Sequence, residues 1–171
     1  MKKILFLLLL IPFALFAQNE ESRGYKVAIG DPCPSFELEM MDGETLTTES
    51  LKGKVVVLQF TSSWCGVCRK EMPHLEKEVW LPFKEEDFVL IGIDLKEDKK
   101  TVQEFIEKIG VTYPIGLDKD GSIFEKFTLP KAGVTRNIVL NKEGEIIFLT
   151  RLFEEKEFNE MIEVVAKELA N

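Results

Sequence analysis

The fold of this chain is decided by the stretch VVVLQFTSSWCGVCRK, residues 55–70. Residues 55–60 form a nearly continuous apolar run, which predicts a strand buried on both faces. Cys65 and Cys68 follow where the pattern changes to helical spacing, so the first cysteine is expected at a helix N-terminus. Free backbone N–H groups and the positive end of the helix dipole stabilise a thiolate there. This placement favours reversible dithiol chemistry, with Cys68 one turn later as the resolving thiol.

The first 17 residues have the layout of a secretory signal peptide. Two lysines precede an apolar run over residues 4–16, and the small Ala17 stands before the polar Gln18. Cleavage is expected after Ala17. The apolar run is shorter than the roughly 20 residues of a membrane-spanning helix. We therefore expect an extracytoplasmic, periplasmic chain that is released from the membrane.

Length and composition indicate one acidic domain. The chain has 171 residues, of which 45% are hydrophobic, and a formal net charge of −8. Without residues 1–17, which hold two lysines and no acids, the formal charge becomes about −10. Such a balance argues against nucleic acid or an anionic membrane surface as a partner.

The chain has three cysteines, an odd number for an exported protein. A disulfide between Cys65 and Cys68 would close too short a loop to stabilise the fold much, which favours a catalytic pair. Cys33 is left over and is expected to be a small, partly buried residue. These cysteines with His74 do not have the usual spacing of zinc ligands, so no metal and no other cofactor is expected.

Hydrophobic periodicity predicts a mixed α/β sheet covered by helices on both faces. Residues 18–26 are expected to be a flexible lead-in to a single domain over residues 27–171, which starts with a β-hairpin turning at Asp42-Gly43. The expected strands cover residues 36–40, 44–47, 55–60, 88–94, 111–114, 135–140 and 145–150. The expected helices cover residues 65–80 with a kink at Pro73, 101–109 with a capping box formed by Thr101 and Glu104, 122–127 and 154–170.

A tryptophan precedes the first cysteine, and an Arg, Glu, Pro series follows the second, giving Trp64, Cys65, Cys68, Arg69, Glu71 and Pro73. This ordered set resembles the active-site segment of the thioredoxin superfamily, in particular its exported TlpA/ResA-like branch, which is related to AhpC/TSA proteins. Further similar segments lie at residues 30–36, 51–54, 91–94 and 141–144. The resemblance implies a thioredoxin-like fold and thiol-disulfide oxidoreductase activity, with a redox-active disulfide and no separate cofactor.

The resemblance also assigns roles around the cysteine pair. It implies that Cys65 is the exposed attacking thiolate and that Cys68 is the buried resolving thiol. Glu71 would be the acid that exchanges protons with them, since partial burial raises the pKa of a carboxyl group. Gln59 stands where cytoplasmic thioredoxins have a buried aspartate, and it does not ionise.

The family normally has a cis-proline at the start of the strand that faces the dithiol. Here Thr135 takes that position, after Val134. Because a cis bond before a residue other than proline costs about 2.5–4 kcal/mol, a trans bond is expected. The resemblance implies that these residues shape the substrate groove, with Trp64, Gly66 and Val67 on the docking surface.

The partners implied by the resemblance are exported thiol or disulfide proteins, including apocytochrome c, and a membrane electron donor, with this protein acting as reductant. One alternative is a thiol peroxidase of the peroxiredoxin type, for which Ser62 fits the family pattern but Leu58 replaces a proline. Another alternative is a thioredoxin-fold binding or chaperone module with weak turnover. Thr135 motivates this second alternative, while the intact cysteine pair argues against it.

Overall fold

A computed structural model describes residues 22–171. The signal-peptide prediction for residues 1–17 therefore lies outside the described residues. The strands of the described part are β1 (Glu37–Met40), β2 (Thr45–Thr47), β3 (Val55–Thr61), β4 (Phe88–Leu95), β5 (Ile115–Asp118), β6 (Arg136–Leu140) and β7 (Ile146–Leu149). Its α-helices include α1 (Gly66–His74), α2 (Lys99–Ile109), α3 (Ser122–Phe127) and α4 (Glu155–Leu169). A 3₁₀ turn covers Thr48–Leu51, and a π-helical stretch, Leu75–Trp80, continues α1 into one last turn, Leu81–Phe83.

The strands form one mixed sheet in the order β2-β1-β5-β4-β3-β6-β7. Strand β3 runs parallel to β4 and antiparallel to β6, and all seven of its residues are buried. The antiparallel pair β1 and β2 is the predicted amino-terminal hairpin. The mixed α/β sheet and its central apolar strand are thus confirmed.

Both faces of the sheet are covered, because alternate side chains of each strand point to opposite sides. Val55 and Val57 pack with α1, α2 and α4 in one apolar cluster. Val56, Leu58 and Phe60 pack with α3 and the segment around residue 36 in the other. The helix that follows β3 and its π-helical continuation are therefore held against the sheet by Met72, Leu75 and Val79.

Most predicted boundaries are within one residue of the observed ones, but the start of α2 and the position of β5 differ by more. Helix α2 begins at Lys99 because Asp98 caps it, with its carboxylate accepting the backbone N–H of Thr101 at 2.8 Å. The predicted capping box, with Thr101 as the cap, is therefore wrong. The strand predicted at residues 111–114 is also wrong, because pairing with β4 begins only at Ile115, after Pro114, which has no N–H to donate.

The expected single helix over residues 65–80 changes its hydrogen-bonding pattern after Pro73. Helix α1 ends at His74, and the π-helical stretch follows directly. Proline removes one backbone donor from a helix and its ring crowds the preceding turn, so the regular α-helical pattern is interrupted at this point. The irregularity lies beyond the cysteines, so the first turn of α1 is regular.

Residues 22–26 belong to the packed domain, so the prediction of a flexible lead-in fails for this part. Tyr25 is buried and its hydroxyl donates to the carbonyl of Thr150 at 2.5 Å. The backbone N–H of Lys26 donates to the carbonyl of Phe127 at 2.8 Å. The ring of Tyr25 buries enough apolar area to hold this segment against the domain. The polar residues around Tyr25 in the sequence had instead indicated a flexible segment.

The close approach between Gly116 and the side chain of Leu38 predicts the effect of one added methyl group. A Cβ at Gly116 would lie 2.5 Å from Cγ of the fully buried Leu38, whereas a Cβ at Gly133 would meet nothing within 4 Å. We expect Gly116→Ala to lower the free energy of unfolding by about 1–3 kcal/mol, the usual cost of overpacking. Urea denaturation measures this, with Gly133→Ala as the control. Equal losses in the two variants would contradict the packing described for β1 and β5.

Candidate active site

The cysteine pair lies between the end of β3 and the start of α1. Cys65 and Cys68 form a disulfide, with their Cα atoms 5.3 Å apart. Cys65 is the residue that caps α1, and its Sγ accepts the backbone N–H of Cys68 at 3.1 Å. The predicted position at a helix N-terminus is confirmed. In the reduced protein this N–H and the helix dipole favour a thiolate at Cys65.

The two sulfurs differ in their access to solvent. Cys68 is fully buried, and Cys65 retains 6% of its surface. Cys65 is therefore less exposed than expected. The neighbouring Trp64 is 62% exposed. Solvent therefore reaches Trp64 and the edge of Cys65, but not Cys68.

Glu71 is buried beneath the helix and held by three polar side chains. Its Oε2 accepts from Nε2 of Gln59 at 3.1 Å and from the hydroxyl of Thr135 at 2.8 Å. Its Oε1 accepts from Nδ2 of Asn137 at 2.7 Å. Burial raises the pKa of Glu71, and the three hydrogen bonds only partly offset this rise. The result is a carboxyl group that takes up a proton more readily than an exposed glutamate.

Gln59 links this carboxyl group to the core. Its Oε1 accepts from the hydroxyl of Tyr113 at 2.8 Å, so both ends of the amide have partners. Burial raises the pKa of Tyr113 well above its usual value, so this hydroxyl keeps its proton and remains a donor. Gln59 therefore orients Glu71 without competing with it for protons.

Asn137 is a site residue that the sequence reasoning did not identify. It lies two residues after Thr135, and side chains two apart in a strand point to the same face. Its amide also donates to the hydroxyl of Thr150 at 3.0 Å, which fixes its orientation. The two-residue spacing in a strand could have identified Asn137 from the sequence, because it places Asn137 beside Thr135 and opposite α1.

The peptide bond between Val134 and Thr135 is cis, so the expectation of a trans bond is wrong. That expectation rested on a local preference, whereas the contacts of Thr135 are tertiary. Thr135 is fully buried, and its hydroxyl lies within hydrogen-bond distance of Glu71 and of the Phe60 carbonyl, the latter at 3.3 Å. Val134 is half-buried at the surface, as is Val67 after the exposed Gly66.

Glu97 fastens the turn that precedes the dithiol. Its carboxylate accepts from the Ser62 hydroxyl at 2.7 Å, and from the backbone N–H and the hydroxyl of Ser63 at 2.6 and 2.5 Å. Ser62 in turn accepts the backbone N–H of Cys65 at 3.1 Å through its carbonyl. Burial raises the pKa of Glu97, but the hydrogen bonds outweigh it and leave the pKa lowered. The local sequence pattern did not link Glu97 to this turn, because Glu97 follows Ser62 by 35 positions and Ser63 by 34.

Asp94 lies fully buried at the end of β4, opposite Thr61 of β3. Its carboxyl oxygens accept no hydrogen bond within residues 22–171, whereas a protonated Asp94 donates to the Glu97 carboxylate. Burial, together with the negative charge of Glu97, raises the pKa of Asp94 to about 8. Asp94 is therefore mostly protonated at neutral pH, next to the turn that carries the active site.

Cys33 and His74 remain outside the site. The thiol of Cys33 is half-buried and donates to the carbonyl of Pro34 at 3.6 Å, and burial raises the pKa of Cys33 to about 12. His74 is exposed, contacts Glu78 through Nδ1 at 2.7 Å and lies beside the ring of Phe153. Residues 22–171 contain no group of acidic, histidine and cysteine side chains suited to a metal ion. No helix in this same range is long and apolar enough to cross a membrane.

A mixed sheet with a disulfide at the N-terminus of the helix after its central strand defines a class, the thioredoxin-fold thiol-disulfide oxidoreductases. The comparison with protein families agrees with this class. The AhpC/TSA family model matches residues 29–149. The chain belongs to the AhpC/TSA family, and the predicted thioredoxin-like fold is confirmed.

Named relatives point to the same activity. The thiol-disulfide oxidoreductase ResA of Halalkalibacterium halodurans is 33% identical over 118 residues, which cover 69% of this chain and 65% of that protein. ResA of Bacillus cereus is 29% identical over 149 residues, covering 85% of this chain and 83% of that protein. A candidate protein disulfide isomerase from Bacteroides thetaiotaomicron, solved in solution, is 50% identical with a TM-score of 0.84, covering 86% of this chain and 94% of that one. The chain is a thiol-disulfide oxidoreductase.

The buried carboxyl of Asp94 predicts a pH-dependent stability. The folded protein keeps this proton up to about pH 8, whereas the unfolded chain loses it near pH 3.8. In this interval the folded state binds more protons, so its stability falls as the pH rises. We expect the stability advantage of Asp94→Asn over the unmodified protein to grow by about 1 kcal/mol or more from pH 5 to pH 8.

Urea denaturation at four pH values measures this difference. The exposed Asp87→Asn is the matched control and should show a constant difference. A pH-independent effect of Asp94→Asn would mean that Asp94 is ionised in the folded protein.

Proposed function

We propose that the protein reduces disulfide bonds in exported protein partners outside the cytoplasm, by exchange with the Cys65–Cys68 pair. The arrangement of the two sulfurs is the observation that carries this proposal. Cys65 accepts a backbone N–H at the helix N-terminus and keeps some exposed surface, whereas Cys68 is buried. On this proposal Cys65 attacks the partner, and Cys68 resolves the resulting mixed disulfide.

The exchange proceeds in two displacements. The Cys65 thiolate attacks one sulfur of the partner's disulfide, forms a mixed disulfide and releases the partner's other sulfur as a thiolate. The Cys68 thiolate then attacks Sγ of Cys65 and releases the partner's second sulfur. The partner has gained two electrons and two protons, and the protein holds the Cys65–Cys68 disulfide.

A membrane electron donor in the same compartment would return the disulfide to the dithiol with two electrons. The resemblance to the TlpA/ResA-like branch supports the direction of electron flow, from this protein to the partner's disulfide. It also supports apocytochrome c as one of the clients. Residues 1–17 support export, since a basic start, a short apolar run and a small residue are typical of a signal peptide.

Glu71 is the proposed proton acceptor for the buried thiol. Cys68 must lose its proton before it attacks Cys65, and water has little access to it. Glu71 follows Cys68 by three residues on α1, which places both side chains on one side of the helix. Because burial raises the pKa of Glu71, the carboxylate is a stronger base than an exposed glutamate.

The partner's polypeptide is proposed to lie between Trp64 and the segment Val134–Thr135. Trp64 offers an exposed aromatic surface directly before Cys65, and such side chains commonly contribute strongly to docking. Val134 and Val67 are half-buried and offer apolar contacts, while Gly66 leaves the approach to Cys65 open.

Reduction of insulin by dithiothreitol tests the activity. We expect the purified protein to accelerate it, Cys65→Ser to abolish the acceleration, and Cys33→Ser to leave it unchanged because this thiol is half-buried and has a raised pKa. A protein that does not cycle between dithiol and disulfide, or a Cys65→Ser variant with full activity, would contradict the proposal.

A trapping variant tests the partner class. Without Cys68 the mixed disulfide is not resolved, so Cys68→Ser expressed in the native cell should remain linked to its clients. Mass spectrometry of the linked proteins should return exported proteins that contain cysteine. A variant that traps only cytoplasmic proteins would contradict the location, and rapid sulfenic acid formation at Cys65 with peroxide would indicate the peroxidase alternative.

The role of Glu71 predicts a change in the pH profile of the exchange. We expect Glu71→Gln to slow resolution of the mixed disulfide by about 100-fold at neutral pH, a typical contribution of general base catalysis. The rate should recover at high pH, where solvent hydroxide removes the proton from Cys68. Stopped-flow fluorescence of Trp64 measures the step, and the exposed Glu86→Gln is the control. An unchanged rate and pH profile would exclude Glu71 as the base.

A further inference from the structure

A cavity of about 690 Å³ lies beside the loop that leads into β6. Its lining includes four cationic side chains, namely Arg23, Lys131, Arg136 and Arg151, together with Gly24 and Gly133. No acidic residue lines it within the described residues 22–171. This concentration of positive charge stands out in a chain whose formal net charge is −8.

Arg136 is a buried cation without a counter-charge. It is 1% exposed, its Nε donates to the carbonyl of Gly133 at 2.9 Å, and its guanidinium lies 4.5 Å from the ring centre of Tyr25. Its Nη1 has no hydrogen-bond partner, and no carboxylate forms an ion pair with it, in the part of the chain that the structure describes. Buried charges are normally paired because desolvation is costly, so this guanidinium lacks an expected anion.

The charged side chains around Arg136 do not neutralise its positive charge, because they are themselves cationic. Burial lowers the pKa of Arg136, Tyr25 opposes this shift, and the charges of Arg151 and Arg23 lower the pKa further. Arg23 is already neutralised by Glu157, with Nη2 and Oε2 2.9 Å apart. Arg151 and Lys131 are exposed and remain available to a ligand. The cavity therefore presents a buried guanidinium with two exposed cations around it.

We propose that this cavity binds a carboxylate group, held by the guanidinium groups of Arg136 and Arg151. The planar guanidinium matches the two oxygens of a carboxylate and forms paired charge-assisted hydrogen bonds with it. The source is a small free carboxylate or an acidic side chain of a client. The second source rests on the proposed function, since the cavity-lining loop residues 129–133 run directly into Val134–Thr135.

Binding is tested on the oxidised protein with citrate as the probe, at constant ionic strength set with sodium chloride. We expect saturable ¹⁵N chemical shift changes at the amides of Gly24, Gly133 and Arg136. Arg151→Gln should weaken binding about tenfold, the value of one charge-assisted hydrogen bond. The exposed Lys167→Gln, on α4, should bind citrate unchanged.

Arg136→Met should abolish citrate binding. If Arg136→Met does not fold, the affinity of Arg151→Gln provides the test instead. Linear shifts without saturation, or equal affinity in Arg151→Gln and Lys167→Gln, would overturn the proposal. Binding that appears only after Glu20 and Glu21 are replaced by glutamine would also overturn it, because the anion would then be supplied by this chain.

A pair of disulfide-bearing peptides distinguishes the two sources. One peptide carries glutamate beside its cysteine, and the other carries glutamine. Faster reduction of the glutamate peptide, lost in Arg151→Gln, supports a client side chain as the ligand. Equal reduction of both peptides alongside saturable citrate binding supports a free carboxylate. Citrate binding does not depend on disulfide exchange, so it is measurable even if the proposed reductase activity fails.

Discussion

The arrangement of the site depends on the burial of one carboxyl group, that of Glu71. An isolated carboxylate in an apolar interior is strongly unfavourable, so its hydrogen-bond partners must be in place. Those partners are Gln59 on β3, Thr135 directly before β6 and Asn137 within β6. Because Glu71 itself belongs to α1, these bonds fix the helix that carries the dithiol against both strands.

The same contacts suit both the ionised and the protonated form of Glu71. The Thr135 hydroxyl has one proton and lies near two acceptors, Glu71 and the Phe60 carbonyl. Beside an ionised Glu71 it donates to the carboxylate. Beside a protonated Glu71 it accepts a hydrogen bond from the carboxyl O–H and donates its own hydrogen to the Phe60 carbonyl. The threonine that replaces the family's proline thus gives the carboxyl group a partner in both states.

Local patterns in the sequence predicted the central strand, the helix start and the cysteine pair. The apolar run before Cys65 and the spacing after it are properties of neighbouring residues, and the family resemblance added Glu71 and Thr135. The remaining features arise from contacts between distant segments. Asp98 caps α2, Glu97 binds the turn before Cys65, and Arg136 faces a cavity, yet none of these side chains differs in local pattern from an ordinary surface charge.

Glu71 is proposed to exchange a proton with the dithiol. ¹³C NMR tests this exchange by measuring the pKa of the Glu71 side chain in the oxidised and in the reduced protein. We expect a pKa of Glu71 above the usual 4.5 in the oxidised protein and a higher pKa after reduction, when a thiolate lies nearby. An ordinary pKa that is the same in both redox states would contradict it.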